Sequence, residues 1–143
     1  MALTDYSMME REIENAPEPK TLPRGAEVKA RIIAVREGVS DKNDAHWYQP
    51  VFDVPADITV KEFNAFFWDL VDIDKLEGGR DGKQALGAMR GFKNFASCFS
   101  IDYSRPFDWL EDLIGKEGWV ILGVKKSDEY GDQNTISKYI VKR

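Results

Sequence analysis

The chain has 143 residues, 43% of them hydrophobic, a formal net charge of −5 and a pI near 5.0. That length supports one buried core and leaves no room for a second domain of ordinary size. No apolar run nears the roughly 18 residues of a membrane span, the acidic start is neither a signal nor a transit peptide, and a single Cys98 and a single His46 exclude an intrachain disulfide and a closed zinc site. The expectation is a soluble cytoplasmic protein with no cofactor and no membrane partner.

Residues 1–25 are polar and carry Pro17, Pro19 and Pro23, which predicts a flexible arm; within it Tyr6, Met8, Met9 and Ile13 mark one or two helical turns. Residues 26–143 form the domain. The first strand, 26–37, alternates Val28, Ala30, Ile32 and Ala34 with Lys29, Arg31, Ile33 and Val35, and a turn-rich loop leads to strand 2 at 46–54, closed by Pro55. Aromatic and β-branched content makes 60–70 strand 3, although Phe63, Phe66, Phe67 and Leu70 also fit helical spacing. After an acidic loop, Ala85, Met89, Phe92, Ala96 and Phe99 recur at spacings of three and four and predict an amphipathic helix over 83–99. Gly87 and Gly91 weaken that helix unless they permit close packing. A short helical turn at 106–114 ends at Gly115, and a hairpin of strands 119–124 and 136–141 follows. Three strands, a helix and two strands is the order of the five-stranded OB barrel, so the fold class is mainly β, a five-stranded OB-fold barrel with its helix between strands 3 and 4.

The motifs that would signal catalysis fail in detail. Gly78 to Gln84 has one residue too few, and no Ser or Thr, for a phosphate loop; Asp72 and Asp74 open like a calcium loop, but Leu76 and Glu77 stand where a ligand and a Gly are required. His46 beside Trp47 reads as a surface or stacking residue, and Cys98 as a small core residue. No enzyme is expected.

OB barrels bind single-stranded nucleic acid on strands 2 and 3, where aromatic rings stack on bases. With Phe52 and Val54 facing the core, Trp47 and Gln49 face out; on strand 3 the face with Lys61, Phe63 and Phe67 is taken as the outer one. The candidate nucleic-acid-binding residues are therefore Trp47, Phe63 and Phe67 for stacking, Lys29, Arg31, Lys61, Lys125 and Lys126 for phosphate, and Tyr130 at the tip of the last hairpin. The negative total charge opposes this reading, but the acidity is concentrated: residues 1–20 carry −3 and residues 55–77 carry −4, while 119–126 and 133–143 are basic. The alternative reading is an OB-fold protein-interaction adaptor; a nucleic-acid-processing enzyme ranks last.

Several segments support a family resemblance: Leu22-Pro23-Arg24-Gly25, Phe63-Asn64-Ala65-Phe66, the helix end Phe95 to Asp102, Asp112-Leu113-Ile114-Gly115-Lys116-Glu117-Gly118-Trp119, and Glu129-Tyr130-Gly131-Asp132-Gln133-Asn134. Over residues 20–141 the chain resembles the OB-fold single-stranded-DNA-binding proteins encoded by tailed bacteriophages. The resemblance implies sequence-tolerant binding of single-stranded DNA in phage replication or recombination, in the host-cell cytoplasm, with replication or recombination proteins or a second copy as further partners. The chain departs from that pattern in lacking an acidic C-terminal tail, since it ends Lys138-Tyr139-Ile140-Val141-Lys142-Arg143.

Overall fold

A computed structural model describes residues 2–141 as a mainly β protein. Its strands are β1 (Glu27–Val39), β2 (His46–Asp53), β3 (Phe63–Asn64), β4 (Phe67–Trp68), β5 (Glu117–Lys125) and β6 (Gln133–Tyr139); its α-helices are α1 (Glu10–Glu14) and α2 (Lys83–Phe99). All strand pairs are antiparallel, in the order β3-β2-β1-β5-β6, with β4 also on β2. No helix among the described residues is long and apolar enough to cross a membrane.

The structure departs from the expected barrel in two ways, and the first has a physical cause in β2. The strand expected over 60–70 is split into β3 and β4, giving six strands, and the sheet stays open, with no ladder between β3 and β6 among the described residues. Pro50, in the middle of β2, accepts from Ala65 N at 3.1 Å on the side facing β3 and β4. In an antiparallel ladder a residue's N–H and C=O point the same way, so the donor that proline lacks is missing on that side, and pairing lapses between Asn64 and Phe67.

A second irregularity lies in β1, where the register with β2 shifts between Ile32 and Ala34. Such a bulge reverses which side chains face in. Ala30 and Ile32 are fully buried before it; beyond it Val35 packs on the core, whereas Ala34, expected to share the inner face, is exposed.

Helix α2 has the predicted limits and covers the inner face of the sheet. Phe95 and Phe99 reach Phe52 at ring-centroid distances of 6.4 and 5.4 Å, and Cys98 is buried as expected. The close approach is made by Gly118 on β5, where a Cβ would lie 2.8 Å from the Cys98 carbonyl oxygen. Gly87 and Gly91 face open space and serve no such contact. Within the segment expected to hold a short helical turn, residues 109–115 form consecutive turns, with Asp112 N donating to Asp108 O at 2.8 Å as in a single turn of helix, and Gly115 at φ +88° ending them.

The last residues of the arm lie between the two ends of the sheet. On one side Lys20 N donates to Thr59 O at 2.9 Å and Lys61 N to Lys20 O at 2.8 Å. On the other, Leu22 N donates to Asn134 Oδ1 and Asn134 Nδ2 to Leu22 O, each at 2.9 Å, while Thr21 Oγ1 donates to Asp132 O at 2.9 Å. Asp57 supports the first side: it pairs with Lys20 at 2.8 Å and accepts from both Thr59 N and Thr59 Oγ1, and these hydrogen bonds hold its carboxyl down at about 2.

Candidate nucleic-acid interface

Outward-facing residues follow from the register. Trp47 on β2 pairs with Trp68 on β4 and with Gly38 on β1; a Cβ at Gly38 would run into the Trp47 ring, so this glycine lets the indole lie flat across β1. Phe66, released from pairing by the break opposite Pro50, is about half exposed, and its ring stands 5.8 Å from Trp47 and 4.9 Å from Trp68. These three rings form one aromatic patch. Beside it Gln49 Nε2 donates to Asn64 Oδ1 at 3.3 Å, and Arg36 is exposed at the position paired with Gln49.

Arg36 and Asn64 also line a groove of about 600 Å³ with Val51, Lys61 and Glu62, and with Pro17 and Pro19 of the arm. Lys61 spans from this groove to the β5–β6 loop, its Nζ donating to Tyr130 O at 3.1 Å. Two candidates 69 residues apart are thereby brought together. Tyr130 is well exposed, Lys125 and Lys126 are exposed at the base of the same hairpin, and Arg24 Nη2 donates to Val124 O at 3.4 Å nearby. Asp128, Glu129 and Asp132 lie in this loop and offset part of that charge.

The remaining candidates fare differently. Lys29 is exposed opposite Trp119, a half-exposed ring that the inward alternation of Val120 and Leu122 already pointed outward, yet it was not among the expected site residues. Arg31 is engaged: its guanidinium holds Asp53 through two hydrogen bonds of 3.1 and 2.6 Å and it faces Glu117 across β5, so its charge is spent within the sheet. Phe63 and Phe67 are corrected outright. Both are buried, Phe63 stacked on Phe52 at 5.6 Å and Phe67 tilted against Phe95 at 4.6 Å, and rings that fill the core cannot receive a base. The outer face of this segment is the other one, with Glu62, Asn64 and Phe66 exposed.

His46 has a structural setting. Its ring stacks on Tyr48 at 5.2 Å, its Nε2 lies 3.0 Å from Glu37 Oε1, and its backbone N–H donates to Asp72 at 2.8 Å, which keeps the Asp72 carboxyl below its ordinary range. Tyr48 in turn stacks on Trp109 at 4.6 Å, and burial pushes its hydroxyl pKa up, with Asp69 and Glu37 adding to the shift.

Compared with known protein families and with curated proteins, the sequence matches none of them.

Proposed function

We propose that the outer face of this sheet binds single-stranded DNA without reading its sequence, and that the protein acts by binding alone. The observation that carries the reading is the contiguous, partly exposed patch Trp47–Phe66–Trp68 beside a groove lined by Arg36 and Lys61, whose ammonium reaches the Tyr130 carbonyl. Every base offers a π face to such rings, while Arg36, Lys125 and Lys126 offer charge to a backbone passing between them. An OB-type barrel is the fold that suits this use, and the bridging of the sheet's two ends by residues 20–22 supports that assignment. A role in phage replication or recombination follows from the resemblance alone.

Fluorescence titration with unstructured oligonucleotides at two salt concentrations tests the reading, since Trp47 and Trp68 report stacking directly. Phe66→Ala and Tyr130→Ala should each weaken binding by about 1 kcal/mol or more, roughly fivefold upward, with little loss of melting temperature. Lys125→Ala should reduce the salt dependence by about one counterion. Unquenched tryptophan with no salt-dependent affinity would overturn the proposal and favour a protein-interaction adaptor.

A further inference from the structure

The N-terminal arm poses a stability problem that the rest of the fold does not solve. Residues Ser7–Met9 form a 3₁₀ turn running into α1, yet neither element buries a single side chain. A helical stretch this short is not stable in water without tertiary packing. It nevertheless has a face to pack: Tyr6, Met9 and Ile13 follow at spacings of three and four and are 64, 48 and 53% exposed.

A matching surface lies on α2. Met89, Phe92 and Lys93 of the helix and Tyr103, Phe107 and Trp109 of the following segment, with Leu70, line an open pocket of about 420 Å³ whose walls are mainly aromatic and aliphatic, with the Lys93 ammonium as its one charged group. The charges are complementary. Helix α2 carries Lys83, Arg90 and Lys93 and no acidic residue, whereas residues 2–18 carry Asp5, Glu10, Glu12, Glu14 and Glu18 against Arg11 alone. Asp102, close to the pocket in sequence, is already held by Arg105 at 3.1 Å. The arm leaves the body beside the groove on the outer face, where Pro17 and Pro19 lie, while α2 covers the inner face. A chain's own arm therefore starts on the wrong side of the sheet for its own pocket.

We propose that the arm of one copy seats its Tyr6–Met9–Ile13 face in the α2 pocket of a second copy, and that the exchange is reciprocal, giving a two-fold dimer. The contact is small, so the dimer is a weak one that forms and dissociates with concentration.

Sedimentation equilibrium of the full chain over a wide concentration range tests this. Ile13→Asp in the arm and Lys93→Glu at the pocket lip alter exposed side chains and leave the core intact, and each should weaken dimerisation at least tenfold. The diagnostic measurement is a mixture of the two variants. A heterodimer retains one intact arm and one intact pocket that face each other, so the mixture should associate more tightly than either variant alone. A monomeric wild-type protein at all concentrations, a dimer insensitive to Ile13→Asp, or a mixture no tighter than its components would each overturn the proposal. Arm contacts with the pocket that persist unchanged on dilution of a monomer would overturn it too, by making the contact internal.

Discussion

Asn134 offers the sharpest test of how the two ends of the sheet are held. It is 5% exposed, and its amide makes three hydrogen bonds: it accepts from Leu22 N, and it donates to Leu22 O and, at 3.1 Å, to Gly123 O. Asn134→Ala removes all three and takes from Leu22 N and Leu22 O their bonds to this side chain. At about 1 kcal/mol per bond, with a further cost for whatever stays buried and unpaired, the loss is about 3 kcal/mol or somewhat more. Unfolding entropies of roughly 2.1 cal/mol/K per residue put a chain of this size near 0.3 kcal/mol/K, which converts that loss to a fall of about 10 °C in melting temperature. Urea unfolding and calorimetry read the two figures independently. Ser137→Ala is the control on the same strand: its hydroxyl donates to Ile121 O at 3.0 Å in an exposed position, and its loss should cost no more than about 0.5 kcal/mol. If Asn134→Ala costs less than about 1 kcal/mol, the link from Leu22 to β6 does not hold the fold together and the reasoning fails.

Other outcomes follow from single features. Phe63→Ala should cost about 3 to 5 kcal/mol, as expected for emptying an aromatic core site, and comparison of its urea midpoint with that of Phe66→Ala, which should barely move, checks the assignment of inner and outer faces. The Asp57 carboxyl is held down at about 2, below the ordinary value of 3.8, by its hydrogen bonds to Lys20 and Thr59, so its contribution to stability is fully present above about pH 4 and is lost as pH falls through 2. The melting temperatures of wild type and Asp57→Asn should accordingly converge across that acid window, and a constant gap would contradict the Lys20 and Thr59 contacts. Gly38→Ala should push the Trp47 ring off β1, shifting the tryptophan emission and the melting temperature together; an unchanged spectrum would mean the ring does not lie there.

What the sequence made legible depended on contrast between faces. Helix α2 was readable to the residue because its apolar positions recur against a mostly polar opposite side, and strand 2 because Phe52 and Val54 differ so plainly from Gln49. The segment 60–70 lacked that contrast, with rings on both faces, so alternation alone did not decide between Phe66 and Phe67. The signal that would have helped was Pro50, but it acts on another strand, and which neighbour its missing donor faces depends on register. The same holds for Arg31: its partner Asp53 is 22 residues away and is set opposite by the pairing of β1 with β2. Ile33 looks like any β residue, so the bulge that reverses β1 left no mark in composition. Lys61 and Tyr130 were both named, but their contact needed the fold to bring them together.

The position of residues 20–22 has a consequence for the order in which the protein assembles. This segment is made before both of its sets of partners, residues 59–61 and residues 132–134, the latter more than a hundred residues further along the chain. Bringing partners together across more than a hundred residues of chain is entropically slow and is rewarded only at the end. During synthesis residues 59–61 and the earlier segment that pairs with them are complete long before β6 exists to receive Leu22. Docking of the β5–β6 hairpin on residues 20–22 therefore has to wait for β6, and until it occurs a nascent molecule presents unsatisfied edge groups to its neighbours.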